Sequence, residues 1–100
     1  MSARIARMDR HLIFTRHAVE RMLQWNVSYE DIEHAVDNGI AIAYYPHDKP
    51  YPSRLLSHKA RGRELHVVIA ENFDENEVII VTVYQPDEDY YLRKRGRRKQ

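Results

Sequence analysis

Around Gly39 the hydropathy pattern of this chain changes period, and that switch constrains the fold more than any other feature. Before it, apolar residues recur at the three- and four-residue spacing of amphipathic helices. After it they alternate, as in strands that bury one face. One switch in that order predicts two helices followed by a meander of about four strands. The expected class is α+β, with two N-terminal helices packed on one face of an antiparallel sheet. One hundred residues allow one such domain and leave no room for a second.

The helical half is well punctuated. Thr15 is a good N-cap, and Phe14 before it can staple onto Val19. Ala18, Val19, Met22 and Leu23 then form the expected buried stripe, and the helix should end near Trp25–Asn26. His17, Arg21 and Gln24 fall on a different, polar stripe of the same helix. Ser28 followed by Asp31 resembles a capping box for a second helix, with Val27 stapling onto Ile32 and Gly39 as the stop. Its outer face carries Glu30, Glu33 and Asp37, which reads as solvated.

In the alternating half, "IAIAYY", "SRLLSHKA", "ELHVVIAEN" and "VIIVTVYQ" read as strands. They are separated by the proline-rich "PHDKPYP", a turn at Gly62 and the acidic "FDENE". His11–Phe14 can form a short edge strand leading into the first helix. Residues 1–11 read as a weakly ordered arm, 12–90 as the globular domain and 91–100 as a basic tail.

Strand parity turns this outline into a site. Leu65, Val67 and Ile69 share one face of their strand and His66 the other; Ile79, Val81 and Val83 share one face of the last strand, Thr82 and Tyr84 the other. Packing the uniformly apolar sets under the helices leaves His66, Thr82 and Tyr84 on the opposite side. Arg54 and His58 join them in one register, while a one-residue bulge would exchange their set with Leu55, Ser57 and Lys59. Histidine, arginine and tyrosine together suit metal-free RNA cleavage: a base takes the 2′-hydroxyl proton, cations stabilise the phosphorane and an acid protonates the leaving oxygen. The plainer readings stand beside it. His66 can be a structural core histidine, Arg21 a partner of Glu20, Tyr84 a core-edge aromatic, and His34 and His47 surface residues.

Charge and composition bound the rest. No cysteine is present, which rules out disulfides and cysteine-based zinc sites and fits a reducing cytosol. No HExxH or comparable ligand spacing, glycine-rich phosphate loop or serine elbow occurs, so no metal or cofactor is expected. Neither a signal peptide nor a membrane span is evident, and a soluble cytoplasmic protein is expected. The net charge of +1 conceals a C-terminal cluster of Arg93, Lys94, Arg95, Arg97, Arg98 and Lys99. Such a tail suits RNA or an acidic protein surface, and equally a solvated end that aids solubility.

The order of motifs "FTRHAVERM", "VSYEDIEHAVDNG", "YYPHDKPYPSRLL", "GRELHVVIA" and "VIIVTVYQPD" strongly resembles the small bacterial family called domain of unknown function 4258, from about Ile13 to Asp87. Members look like relatives of RelE/MqsR-type toxins, small ribonucleases of toxin–antitoxin pairs. The resemblance implies a RelE/MqsR-like α+β fold, RNA cleavage, and neutralisation by an antitoxin, possible partners including zinc-finger proteins of the MqsA (YgiT) type. His17, Arg21, Arg54, His66 and Tyr84 occupy the family's recurrent polar positions. On chemical grounds His17 or His66 would be the base, with Tyr84 or the other histidine the acid. Arg21 and Arg54 would hold the phosphate, helped by Lys59, His58 and the basic tail in binding RNA. A homodimer is compatible with so small a chain. One departure is that relatives commonly carry arginine and glycine after the first helix, where this chain reads "QWNVS". The competing expectation is a non-catalytic module that grips RNA or a protein with the same face.

Overall fold

In a computed structural model, residues 10–86 are described. The expectations for the basic tail and for most of the N-terminal arm lie outside them. Strand β1 (His11–Phe14) leads into helix α1 (Arg16–Trp25) and helix α2 (Tyr29–Asn38). Strands β2 (Ile40–Tyr45), β3 (Ser53–Ala60), β4 (Arg63–Asn72) and β5 (Glu77–Tyr84) follow. The α+β class and the order of elements agree with the hydropathy switch.

The sheet differs from expectation in two respects. It has five strands, in the order β1-β5-β4-β3-β2, and it is mixed: β1 pairs parallel to β5, while every other pairing is antiparallel. Parallel partners need a long connection, and here both helices and three strands lie between the pair. A four-residue segment with no turn signal behind it carries little sign of so distant a partner.

Local chemistry sets the element ends. The Thr15 hydroxyl accepts the Ala18 N–H at 3.0 Å and caps α1. Asn26 ends that helix in the left-handed region at φ 55°, its N–H directed at the Leu23 and Met22 carbonyls. Asparagine tolerates this conformation better than most residues, so Asn26 can end the helix where a glycine is the usual choice. Ser28 and Asp31 form a reciprocal capping box at the start of α2. Gly39 is required for space rather than for its own backbone angle: a Cβ there would stand 2.5 Å from the Ala35 carbonyl oxygen.

Between β3 and β4, Arg61 and Gly62 both take positive φ, as a two-residue hairpin turn requires. That turn directs two arginines at the helix junction. Arg61 donates to Ser28 and Asp31, and Arg63 donates to the Trp25 and Asn26 carbonyls at the end of α1. Burial alone would raise the Asp31 carboxyl. Hydrogen bonds from the Ser28 backbone, Arg61 and the Ser28 hydroxyl outweigh it and hold the group below 3.8.

The core lies between the helices and one face of the sheet. Ala18, Ile32 and Ala35 meet Leu56, Val67 and Ile80 there, all essentially excluded from solvent. The expected stripe of α1 is only partly buried: Ala18 is enclosed and Met22 packs against the core, but Val19 is 44% and Leu23 78% exposed. Because α1 lies along β5 near the sheet edge, only a narrow side of it has sheet to cover. Asp37 is not simply solvated, since it pairs with Arg10.

Candidate functional site

The sheet face turned away from the helices carries a row of polar groups, and two features of β5 position it. Pairing runs Val67 with Val83 and Val68 with Thr82, then jumps to Ile69 with Ile80, leaving Val81 as an extra residue. The phase of β5 therefore changes at Val81. Val78, Ile80 and Val83 are buried, rather than the uniform set Ile79, Val81 and Val83 expected from strict alternation. Beyond the bulge, Thr82 and Tyr84 share the outer face with Val68 and His66.

The second feature is the attachment of α1. The Thr15 hydroxyl lies 3.1 Å from both the Ile80 and Val81 carbonyl oxygens, so the helix cap is held against the bulge. The first turn of the helix then brings exposed His17 beside the outer face, its Nε2 3.0 Å from Thr82 Oγ1. Arg21 stands one turn further along the same stripe, where its guanidinium donates to Gln24 at 2.8 Å.

His66 is fully buried although it belongs to the outer face. Its Nδ1 is 3.3 Å from the Tyr84 hydroxyl, and the two rings meet edge to face with centroids 5.3 Å apart. Its Nε2 is 3.4 Å from a Glu64 carboxylate oxygen, which also accepts the Ser57 hydroxyl at 2.6 Å. An imidazole so enclosed cannot meet a substrate directly. Any influence it has on chemistry outside passes through Tyr84, which is only half-buried.

Register decides the other candidates. Ser57 lies opposite His66 and Leu56 opposite Val67, so the outer set of β3 is Leu55, Ser57 and Lys59. Arg54 and His58 fall on the helix side of the sheet, not beside His66. Arg54 is engaged there by Glu71 in two hydrogen bonds, Nε to Oε1 at 3.0 Å and Nη2 to Oε2 at 3.1 Å. Exposed Lys59 is on the outer face, opposite Glu64. The structure thus groups His66 and Tyr84, sets His17 at the edge of the same face beside Thr82, and separates Arg54 and His58 from them. Arg93, Lys94, Arg95, Arg97 and Arg98 lie outside the described residues.

Ser57 and Glu64 are members of this network that sequence reasoning missed. Glu64 had a usable signal, since it stands two residues before His66 on a strand and must share its face. Ser57 needed the β3–β4 register. Among the described residues no three histidine or carboxylate side chains are grouped closely enough to hold a metal ion, and no helix is long and apolar enough to cross a membrane.

The family model for a domain of unknown function, DUF4258, matches residues 14–85. The chain belongs to that family. Its matched segment begins at Phe14 and ends at Gln85, so it contains α1 to β5 and every described residue of the outer-face network. No curated protein and no solved structure matches the chain.

Proposed function

We propose that this DUF4258 protein is a metal-independent endoribonuclease of the RelE/MqsR toxin type. The observation that supports it most is the placement of an exposed histidine from α1 beside Thr82, two residues before Tyr84 on the same outer face of β5. In this reading His17 removes the ribose 2′-hydroxyl proton, and the 2′-oxygen attacks the adjacent phosphorus. Tyr84 gives its proton to the departing 5′-oxygen, leaving a 2′,3′-cyclic phosphate and a 5′-hydroxyl. His66, backed by Glu64 and Ser57, positions the Tyr84 hydroxyl. Arg21 and Lys59 offer positive charge to the crowded phosphorane. Arg54 is set aside as a phosphate ligand because Glu71 holds it on the other side of the sheet.

The same reading makes the protein one half of a cytoplasmic toxin–antitoxin pair, silenced by a partner that covers the outer face. A zinc-finger protein of the MqsA (YgiT) type is the partner class that the likeness suggests. Purified protein freed of any copurifying partner is incubated with mixed-sequence RNA in EDTA, alongside His17→Ala and Tyr84→Phe. Cleavage by wild type, reduced at least about a hundredfold in each folded variant, is the expected result. RNA that is bound but stays intact would favour the binding module instead.

A further inference from the structure

A cavity of about 310 Å³ opens on the outer face beneath the loop that joins β2 to β3. Its floor is apolar, formed by Val68, Ala70, Ile79 and Val81. Its rim is polar and includes Asp48, which accepts a hydrogen bond from Ser53 through Oδ2. The other oxygen, Oδ1, takes no hydrogen bond from the described residues. Tyr51 forms part of the wall, and its hydroxyl is held by the Asn72 side chain at 3.2 Å. An apolar floor beside an aromatic wall, with the Asp48 carboxylate and Lys49 at the rim, suits an aromatic ring that presents N–H donors along one edge.

We propose that this cavity is a guanine subsite. The inference rests on the ribonuclease reading and supplies its base preference. Guanine carries two adjacent donors, N1–H and the N2 amino group, which a carboxylate can accept together. Adenine and cytosine each set one amino donor beside an unprotonated ring-nitrogen acceptor, and uracil flanks its single donor with two carbonyls. In each of the three an acceptor faces the second Asp48 oxygen and is repelled by it. Position supports the assignment as well. Val68 lies opposite Thr82, the residue that His17 contacts, and is the next outer-face residue after His66, about 7 Å along the strand. A base seated there directs its ribose toward His17 and Tyr84.

The test reads binding rather than cleavage. Methyl resonances of Val68, Ala70, Ile79 and Val81 are followed in the full chain as guanosine, inosine, adenosine, cytidine and uridine are added in turn. Guanosine should shift them, inosine should bind more weakly for want of the N2 amino group, and the other three should leave them unmoved. Asp48→Asn keeps an acceptor for Ser53 but turns an amide toward the ligand, so guanosine affinity should fall at least about tenfold. Ala70→Phe fills the floor while Asp48 itself is retained, and should abolish binding. A GpU dinucleotide blocked at its 2′-hydroxyl should bind more tightly than guanosine. Tighter binding of GTP than of that dinucleotide would assign the site to a free nucleotide and overturn the RNA assignment.

Unmoved methyls at millimolar guanosine, or an equal response to adenosine, would overturn the subsite. The two readings fail separately. Guanosine binding with RNA left intact upholds the subsite and removes the nuclease; RNA cleavage with no guanosine binding does the reverse.

Discussion

Arg54 and Tyr84 show how much a single residue's surroundings change its meaning. Both were attractive as catalytic groups, but Arg54 is held by the Glu71 carboxylate on the helix side of the sheet. Arg54→Ala should therefore lower stability by about 1 kcal/mol, the pair being partly exposed, and leave cleavage per folded molecule unchanged. Denaturant unfolding and an RNA assay on the same preparation check both halves. Gly39 is a second case. Alanine there would press its Cβ against the Ala35 carbonyl, and the variant should lose about 1–3 kcal/mol. What was legible at this scale was residue type: the caps at Thr15 and Ser28 and the stop at Gly39 are local chemistry. What was illegible was company. No local signal says that Glu71 rather than a phosphate faces Arg54, or that Ser57 stands with His66 across the β3–β4 register.

At the scale of elements, one extra residue governs the site. Strict alternation along β5 put Val81 with Val83, whereas the bulge at Val81 shifts the phase so that Val78, Ile80 and Val83 line the core. A bulge inserts a residue without changing composition, so hydropathy cannot reveal it. The α1 stripe erred for a related reason. Its period was right, but the width of sheet available beside β5 sets how much of Val19 and Leu23 is covered. The junction of α1 and α2 has its own test. Against burial, hydrogen bonds from Ser28 and Arg61 hold the Asp31 carboxyl below its ordinary value of 3.8 in the folded chain, so the unfolded state binds the proton more readily. Its ionisation stabilises the fold fully above that value, and the contribution disappears as pH falls through the lower folded value. Wild type should exceed Asp31→Asn in stability at neutral pH, and the gap should close progressively below about pH 4. Thermal unfolding of both proteins across that range measures it.

For the whole molecule, a single switch of hydropathy period was enough to order the elements and assign the α+β class. The mixed sheet escaped because the partner of β1 is β5, separated from it in sequence by both helices and three strands. That pairing matters to the site, since β1 delivers the chain to Thr15 and so sets His17 against the outer face. Helices and sheet share one core, and Ile32 is completely enclosed within it. Ile32→Ala should cost about 2–5 kcal/mol in unfolding free energy, a large part of what so small a domain has. The helices thus serve the far side of the sheet in two ways: they seal one face, and α1 lends the other a histidine.

The most direct measurement is the chemistry of the RNA ends left by the purified, partner-free protein in EDTA. A 2′,3′-cyclic phosphate facing a 5′-hydroxyl is the predicted product pair, formed by wild type and lost in Tyr84→Phe. Ends carrying a 3′-hydroxyl and a 5′-phosphate, or an unaltered rate in Tyr84→Phe, would contradict the account.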